Sequence, residues 1–320
     1  MRICCGSRIS RAIGACSLFY QRWNSSEAGR AASMKATVFG ATGFIGARLV
    51  QYLRAKGYEV FAPERGSRSW CNQPLGHVFY CIGITADFRR RPLDTVQAHV
   101  SVVSDILHHG IFDSFLYLSS TRVYCRASGA HETAVTPVVS ADPSDLYNLS
   151  KLTGEAACLA LGRDHVRVAR LSNVYGSDFS SENFLSSIIQ DAFRTGRILL
   201  RTAPDSEKDY IWIEDVAYAL EQIALKGSEQ IYNVASGENT RHGAITQVLS
   251  SVTGCDVVVQ EGAPIQRFPT IDTTRLSRLV SCEFRPLLAH LELLAEEFRS
   301  QLGGNIEAAL TASKRPAPTR

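Results

Sequence analysis

The chain has 320 residues, of which 45% are hydrophobic and 20% are charged, and its net charge is +3. Such a length and composition are typical of an α/β protein with one large domain or two intertwined lobes. Much of the basic excess lies at the two ends of the chain, so the nearly neutral body argues against binding to nucleic acid. No apolar run approaches the roughly 20 residues that a membrane span needs, so we expect no membrane partner.

The first 33 residues carry five arginines and one acidic residue, Glu27. We interpret residues 1–33 as a disordered upstream extension with the functional start at Met34, which predicts a cytoplasmic protein. An arginine-bearing, acid-poor leader is also typical of a mitochondrial presequence, which is the alternative. The nine cysteines contain no Cys-x-x-Cys pair. They indicate reduced packing residues, a reducing compartment and no metal site.

The predicted elements begin with a strand at residues 35–39, a glycine-rich turn and a helix that ends at Gly57. Apolar β-branched runs then alternate with segments of helical periodicity. The strands are predicted at 59–62, 77–82, 115–120 and 166–171, and the helices at 92–109 and 145–161. This alternation predicts an α/β fold with a doubly wound, Rossmann-like parallel sheet that helices cover on both faces.

Beyond Asn173 the pattern changes to shorter, mixed elements, which predicts a smaller C-terminal substrate lobe formed by residues 173–213 and 237–303. A helix at 214–225 and a strand at 230–235 return to the sheet. The dinucleotide-binding domain is therefore predicted to comprise residues 34–172 and about 214–236. Helices at 183–195 and about 286–302, with strands at 198–201, 210–213 and 256–260, are predicted in the lobe. The polar, basic residues 304–320 predict a disordered tail.

The turn at residues 40–46 has the spacing Gly-x-x-Gly-x-x-Gly and stands between the first strand and its helix. Glycines let the backbone approach a pyrophosphate closely, and the helix N-terminus supplies free N–H groups and a positive dipole. We therefore predict that this turn binds a nicotinamide dinucleotide. The residues expected to contact it are Gly40, Thr42, Gly43, Phe44, Ile45 and Gly46.

The end of the second strand normally selects between NAD and NADP. Glu64 stands where an acid would hold the ribose hydroxyls, which favours NAD. Arg65 and Arg68 follow at once and could bind a 2′-phosphate, so NADP is the alternative.

Tyr147 and Lys151 are four residues apart on a predicted helix, so the two side chains share one face. There the ammonium group is expected to lower the pKa of the phenol from about 10 toward neutrality. A phenol with such a pKa is a general acid or base beside a bound cofactor.

Several further segments follow the turn in a fixed order. They are 118–124 (Leu-Ser-Ser-Thr-Arg-Val-Tyr), Tyr147-x-x-x-Lys151, 170–176 (Arg-Leu-Ser-Asn-Val-Tyr-Gly), 208–216 (Lys-Asp-Tyr-Ile-Trp-Ile-Glu-Asp-Val) and 232–237 (Tyr-Asn-Val-Ala-Ser-Gly). In this order they closely resemble the extended short-chain dehydrogenase/reductase family, the nucleotide-sugar epimerases and dehydratases. The resemblance covers about residues 35–302.

This resemblance implies a catalytic role for three residues. Ser120 matches the serine or threonine that hydrogen-bonds the sugar oxygen. Tyr147 matches the base that takes the hydroxyl proton while hydride passes to the nicotinamide. Lys151 matches the lysine that binds the nicotinamide ribose and lowers the pKa of the tyrosine. The chemistry needs this set, since an alcohol yields hydride readily only while its proton leaves.

The resemblance also implies contacts with the substrate. Asn173 matches a residue that contacts the nucleotide sugar. Lys208 stands where the family usually has an arginine that pairs with the substrate diphosphate, and lysine lacks the bidentate fork of that arginine. Arg201 and Arg275 are candidates to share this task.

The chain departs from the family pattern at several places. His99 stands where the family usually has an asparagine that organises a water, and it is either a replacement or a structural histidine. Only about fifteen residues separate the predicted strand that ends at Ala62 from the one that begins at His77. One edge strand is therefore expected to be missing or reduced. Thr121 and Arg122 replace the Asp-Glu pair of the dehydratases, which disfavours dehydration.

The loop before the helix at 92–109 contains Arg89, Arg90 and Arg91. Three adjacent arginines either receive an anionic substrate or form a solvated loop. The helices at 92–109 and 145–161 form a four-helix bundle in dimers of the family, which makes a homodimer an expectation.

The sequence therefore predicts an NAD(P)-dependent epimerase-like oxidoreductase that acts on a nucleotide sugar by transient hydride abstraction, with tyrosine as the base. One alternative is an NADPH-dependent keto-sugar reductase. The other is a non-catalytic protein that binds a dinucleotide for structural or sensing purposes. The identity of the sugar and of its nucleotide is left open.

Overall fold

The structure is a computed structural model that describes residues 34–179, 183–281 and 283–313, with side chains up to residue 302. The predicted leader at residues 1–33 and the last part of the predicted tail, residues 314–320, lie outside the described residues.

A six-stranded parallel sheet forms the centre of the molecule. Its order is β2-β1-β3-β4-β5-β9, and every neighbouring pair is parallel. The strands are β1 (Lys35–Phe39), β2 (Glu59–Phe61), β3 (His77–Tyr80), β4 (Ser114–Ser120), β5 (Val166–Leu171) and β9 (Ile231–Val234). The chain reverses its direction of winding between β1 and β3. In a parallel α/β sheet this is the point at which ligands bind.

Helices cover both faces of this sheet. They are α1 (Phe44–Ala55), α2 (Pro92–Val96), α3 (Val102–His109), α4 (Leu146–Leu159) and α6 (Ile213–Lys226). Along β4, Leu116 and Leu118 join a buried cluster with α1 and α6. The alternate residues Phe115 and Tyr117 join a second cluster with α3 and α4. Since both faces of the strand are apolar and buried, the predicted doubly wound fold is confirmed.

The sheet ends at β2, as the short connection to β3 predicted. Residues 62–76 form turns and no strand within the described part of the chain. Two side chains in this segment, Trp70 and Leu75, are buried in the cluster that α3 and α4 form on one face of the sheet. The Trp70 ring meets the Phe39 ring edge-on, with the ring centroids 6.0 Å apart.

The helix predicted at 92–109 is interrupted by a π-helical segment, Gln97–Ser101, between α2 and α3. Two buried tyrosines from the sheet satisfy carbonyl groups of this segment. Tyr80 donates to the Ala98 carbonyl at 2.5 Å, and Tyr117 donates to the His99 carbonyl at 3.0 Å. Such π-segments occur frequently at functional sites, and this one turns His99 into the interior.

The remaining elements form the C-terminal lobe, which has two small sheets, β10-β8-β6 and β11-β7. Its strands are β6 (Asn173–Tyr175), β7 (Arg197–Leu200), β8 (Glu207–Trp212), β10 (Asn239–Arg241) and β11 (Asp256–Val259), and its helices are α5 (Phe184–Arg194), α7 (His242–Thr253) and α9 (Leu287–Ser313). Ile189, Leu249 and Leu291 bring the three helices into one buried cluster. One further helix, α8 (Thr274–Leu279), packs toward the main sheet through Leu276.

Several helices and strands of the lobe begin or end at residues other than those that the sequence predicts. β8 begins at Glu207 rather than at residue 210, while β6, β10 and α8 are too short to give a periodic signal. The last helix extends to Ser313 and so occupies part of the tail that the sequence predicted to be disordered. No helix within the described residues is long and apolar enough to cross a membrane.

Candidate active site

The turn after β1 requires glycine at two positions. Gly40 has a φ of +81°, and a Cβ at Gly46 would lie 2.2 Å from the Gly40 carbonyl oxygen. The Gly43 N–H donates to the same carbonyl at 3.0 Å. No side chain caps the N-terminus of α1 in the described structure, which leaves its first backbone N–H groups available to a ligand. The turn therefore fits a pyrophosphate.

The other residues predicted to contact the cofactor flank this turn. Thr42 is exposed, whereas Phe44 and Ile45 are half-buried and pack their side chains against the lobe core. Their backbone amides are thus the groups left for a phosphate. Glu64 and Arg65 are exposed beyond the end of β2.

Arg68, the other arginine considered for a 2′-phosphate, has a partner in the structure. Its guanidinium pairs with the Asp105 carboxylate at 2.8 Å on α3. Because both side chains are exposed, this pair holds Arg68 only weakly, and Arg65 and Arg68 both stay candidates for a 2′-phosphate.

Ser120, Tyr147 and Lys151 meet at the carboxyl end of β4. Ser120 is the last residue of that strand, and the other two lie one turn apart on α4. Tyr147 and Lys151 are buried, and hydrogen bonding joins the phenol to Ser120. Lys151 Nζ donates to the Leu118 carbonyl at 2.8 Å. The structure therefore brings together the three residues that the sequence proposed as catalytic.

The electrostatics of Tyr147 differ from the sequence expectation. Burial raises the pKa of its phenol, and the hydrogen bond with Ser120 and the charge of Arg122 oppose this shift. Arg122 thus replaces Lys151 as the cation that acts on Tyr147 in this structure. Burial also lowers the pKa of Lys151 to about 8, against the charge of Glu155.

His99 lies against the same tyrosine, with the two ring centroids 5.3 Å apart and the rings nearly perpendicular. Its Nε2 accepts from the Ile84 N–H at 3.2 Å, so Nδ1 carries the proton and donates to Ser150 Oγ at 2.8 Å. The Ser150 hydroxyl in turn donates to the Tyr147 carbonyl at 2.9 Å. Burial, together with the charge of Lys151, lowers the pKa of His99 to about 3. His99 is therefore a neutral, fully hydrogen-bonded side chain.

A buried ionic network lies next to Lys151. Arg170 forms a bidentate pair with Glu155, and its Nη2 lies 2.5 Å from Glu155 Oε2. Ser119 donates to the other oxygen of the same carboxylate at 2.5 Å, and Arg170 Nη1 donates to the Tyr124 hydroxyl at 2.8 Å. We call Ser119, Tyr124, Glu155 and Arg170 the closed network, because its charges compensate one another inside the protein.

A second group of cations, separate from this network, lies near Tyr147. The Arg122 guanidinium carbon is 5.4 Å from the centroid of the Tyr147 ring and 5.0 Å from that of Phe88. Arg89 also packs on Phe88, at 4.5 Å. Lys208 on β8 is near enough for Arg122 to lower its pKa, although burial contributes more to this shift. We call Arg89, Arg122 and Lys208 the open cluster.

The lobe supplies further polar groups near Lys208. Asn173 is exposed and donates to the Asp209 carbonyl at 2.8 Å. The Asp209 carboxylate accepts from the backbone and hydroxyl of Ser236, which fixes the loop after β9. His242 is buried, and Lys208 contributes to the lowering of its pKa to about 4, after burial. Asn173 and Lys208 therefore stand on the lobe side of the cleft.

The two remaining substrate candidates are placed differently. Arg275 on α8 lies 3.7 Å from Glu132 and 3.5 Å from Glu229, and it donates to the Ile231 carbonyl, so its charge is compensated by the protein. No contact of Arg275 with Ser120, Tyr147 or Lys151 occurs among the described residues. Arg201 is exposed just after β7. No group of histidine, cysteine or acidic side chains suited to a metal occurs among the described residues.

A family model described as "NAD dependent epimerase/dehydratase family" matches residues 36–235, well over half of the chain. The chain belongs to this family. Its members are enzymes of the extended short-chain dehydrogenase/reductase type, which confirms the resemblance seen in the sequence and the assignment of an enzyme. The fit of the glycine turn to a pyrophosphate agrees with the NAD dependence of the family.

Individual relatives span different activities. A dTDP-4-dehydro-6-deoxy-D-allose reductase from Streptomyces bikiniensis is 24% identical over 85% of this chain and 98% of its own length. The structure of MoeE5 in complex with UDP-glucose and NAD is 20% identical, with a TM-score of 0.69 over 84% of this chain and 99% of that one. RMD from Pseudomonas aeruginosa complexed with NADPH is 21% identical, with a TM-score of 0.68 over 83% of this chain and 100% of that one. These likenesses support the fold and leave the substrate open.

Sequence reasoning missed the role of Arg122 as the cation beside Tyr147. From the sequence, Arg122 is interpreted only as a replacement for one acid of the Asp-Glu pair of the dehydratases. The available signal was its position two residues after Ser120, on the 3-10 turn Thr121–Tyr124 that leaves β4. Phe88 gave no signal, because only the path of its loop places it against Tyr147.

Proposed function

We propose that this enzyme oxidises a hydroxyl group of a nucleotide sugar transiently and returns the hydride to the keto intermediate, as an epimerase does. The observation that carries the proposal is the meeting of the half-buried Ser120 with the buried Tyr147 and Lys151 at the carboxyl end of β4, in the sheet whose strand β1 leads into the glycine turn. A sugar hydroxyl beside Ser120 and Tyr147 can lose its proton to the phenol oxygen. When bound, NAD supplies the hydride acceptor for the same carbon.

The chain's own residues account for the proton in this reaction. Tyr147 has to lose a proton before it accepts one, and burial opposes its ionisation. Ser120 and the charge of Arg122 favour the phenolate, so both lower the barrier to this step. Lys151, with a pKa of about 8, can hold a positive charge beside the nicotinamide ribose near neutral pH.

The substrate is proposed to lie between the sheet and the lobe. Its sugar would contact Ser120 and Tyr147, and its diphosphate would pair with Lys208, while Asn173 contacts the nucleotide sugar between them. NAD is the proposed cofactor, since Glu64 follows β2, where its carboxylate can accept hydrogen bonds from the adenosine ribose hydroxyls. Arg65 keeps NADP as the alternative. We leave Arg275 out of the binding site, because two glutamates compensate its charge.

The second candidate function is one-way reduction of a keto-sugar. It is favoured by the relative from Streptomyces bikiniensis, a reductase that aligns over 98% of its length. The two functions differ in the fate of the cofactor. An epimerase regenerates its cofactor in each cycle, whereas a reductase consumes a reduced cofactor in proportion to product.

The experiment has two parts. Ligands released from the denatured protein are identified by mass spectrometry, and a panel of UDP-, dTDP- and GDP-linked sugars and keto-sugars is then incubated with the native enzyme, with and without added cofactor. We expect a nicotinamide dinucleotide to be released and one sugar to be converted without added cofactor. Conversion of a keto-sugar only with stoichiometric NADPH would show that the enzyme is a reductase and not an epimerase. A protein that retains a dinucleotide but converts neither a sugar nor a keto-sugar would refute both functions.

A further inference from the structure

Arg122 lies at the reaction centre rather than in the surrounding loop. Its backbone N–H donates to Ser120 Oγ at 3.2 Å, and its guanidinium stands 5.4 Å from the Tyr147 ring centroid. The side chain is half-buried. A ligand that touches Ser120 and Tyr147 therefore meets this guanidinium as well.

Uncharged groups hold the guanidinium in this position. Phe88 is buried, and the guanidinium groups of both Arg89 and Arg122 pack on its ring. Arg122 Nη2 donates to the Ser144 carbonyl at 3.3 Å, and Arg89 donates to the Ser144 hydroxyl at 3.0 Å. Stacking on an aromatic ring and bonding to a carbonyl orient an arginine without neutralising it.

The protein does not compensate the charge of the open cluster. Within the described residues, none of Arg89, Arg122 and Lys208 forms an ion pair with a carboxylate. The carboxylate with an influence on Arg122 is Asp145, which already pairs with Arg126 at 3.1 Å and accepts from the Val139 N–H. Burial, together with the charge of Arg89, lowers the pKa of Arg122. Partly buried like charges without counter-ions are unfavourable unless a ligand supplies an anion.

The expected diphosphates do not account for this anion. The cofactor diphosphate belongs at the glycine turn of β1, and the substrate diphosphate is proposed to pair with Lys208. Arg122 instead faces the part of the substrate that reacts at Tyr147, which is the sugar. A neutral sugar offers only hydroxyl groups there and would leave the guanidinium without a counter-ion.

We propose that Arg122 binds a carboxylate carried by the sugar itself, so that the substrate class is a nucleotide-linked acidic sugar. This inference rests on the proposed function. A carboxylate matches the fork of a guanidinium with two parallel N–H···O bonds, and such pairs are among the stronger polar contacts in proteins. The contact would also fix the sugar with one face toward Tyr147. Arg122 would thereby determine specificity, and the bound carboxylate would offset part of its charge effect on Tyr147.

The test compares matched acidic and neutral ligands on the NAD-saturated protein by isothermal titration calorimetry. The pairs are UDP-glucuronate with UDP-glucose, and GDP-mannuronate with GDP-mannose. In at least one pair we expect the acidic member to bind about 10- to 100-fold more tightly to the wild type. Arg122→Gln should remove this preference and leave the affinity for the neutral member within about twofold.

Arg90→Gln is the matched control, because Arg90 is exposed on the same loop and its side chain forms no ion pair or hydrogen bond within the described structure. It removes the same charge and should change neither affinity. Unchanged NAD binding by Arg122→Gln would show that this variant is folded.

Three results would overturn the inference. In the first, the wild type binds both members of each pair equally. In the second, Arg122→Gln weakens both members by the same factor, which would assign Arg122 to the diphosphate or to Tyr147 alone. In the third, none of the four ligands binds, which would remove the inference; binding of a neutral nucleotide sugar from the wider panel would then show that the proposed function stands without it.

Discussion

Two arginine-containing regions adjoin the helix that carries Tyr147 and Lys151, and they handle charge in opposite ways. In the closed network, Arg170 is 5% exposed and its three hydrogen bonds to Glu155 are made inside the protein. In the open cluster, Arg122 is half-buried and stacks on Phe88 without a carboxylate partner. Both regions are polar, and both contact the elements that carry the candidate catalytic residues.

The comparison separates charged side chains that stabilise the fold around the site from charged side chains that are available to bind a ligand. A buried charge that is fully paired contributes order, and its removal strands the partner in the interior. A partly buried charge without a partner is available to a ligand, and its removal should leave the fold intact or more stable. Each prediction below sets one region against the other.

The largest effect is expected at Tyr147, on the helix that both regions adjoin. Tyr147→Phe removes the proton acceptor and should lower turnover by about 10²- to 10⁴-fold. Cofactor and substrate affinities should stay near those of the wild type, since the phenyl ring still packs against Phe88 and His99. Steady-state kinetics and calorimetry measure the two quantities separately.

Tyr210→Phe is the control for that variant. Tyr210 is buried, but its hydroxyl has no hydrogen-bond partner in the part of the chain that the structure describes. Equal losses of turnover in both variants would show that tyrosine hydroxyls in this chain matter for packing and that Tyr147 has no special role.

Breaking the closed network should destabilise the fold. Glu155→Gln leaves the Arg170 guanidinium buried with a neutral partner and should reduce the free energy of unfolding by about 3–5 kcal/mol. Urea denaturation measures this change. Asp142→Asn is the control, because it breaks the surface pair with Arg126 and should have a much smaller effect. Comparable effects of the two changes would contradict the distinction drawn between the regions.

Removing a charge from the open cluster should affect binding and spare stability. Lys208→Gln should weaken nucleotide-sugar binding by about 10- to 100-fold, because it removes a charge-assisted contact with the diphosphate. Lys208→Arg should retain binding, since it keeps the charge and adds a fork. The free energy of unfolding should not decrease in either variant. A variant that loses stability but binds normally would show that Lys208 stabilises the fold, as the closed network does, and does not bind the diphosphate.

The smallest effect concerns His99 and acidic pH. In the unfolded chain a histidine binds a proton near pH 6.5, whereas burial, together with Lys151, lowers the pKa of His99 to about 3 in the folded protein. The unfolded state therefore binds more protons between these values, and stability falls as the pH falls through that window. His99→Asn should reduce the slope of stability against pH below about 6.5.

His108→Asn serves as the control for this slope, because His108 is exposed at the end of α3. The slope should not vanish in His99→Asn. His242 and His290 are also buried, and burial lowers the pKa of each to about 4. Identical slopes for the wild type and His99→Asn would contradict the neutral state assigned to His99.

Much of this architecture follows from local patterns in the sequence. The alternation of apolar strands with helical segments and the glycine spacing after β1 predict the parallel sheet and its ligand turn, and the shortened segment at residues 62–76 predicts the missing edge strand. The order of Ser120, Tyr147 and Lys151 predicts a site that the structure assembles. These features depend on residues close in sequence or on strand order, which periodicity reveals.

Other features depend on contacts between distant segments, which spacing does not encode. The pKa of Tyr147 was expected to fall because of Lys151, but Lys151 donates to the Leu118 carbonyl and burial raises the pKa of the phenol. The place of Arg122 depends on how Phe88 and Ser144 pack around it. The π-helical turn at His99 depends on two tyrosine hydroxyls from the sheet.

The most direct measurement follows hydride transfer in the wild type. Protein loaded with NAD is mixed, in a single turnover, with a nucleotide sugar of the panel that binds and that carries deuterium at the carbon bearing the reacting hydroxyl. We predict reduced nicotinamide that contains deuterium, formed at a rate that falls at low pH as the Tyr147 phenol remains protonated. Tight binding of both ligands with no deuterium on the nicotinamide would contradict the assignment of Ser120, Tyr147 and Lys151 as a proton and hydride site.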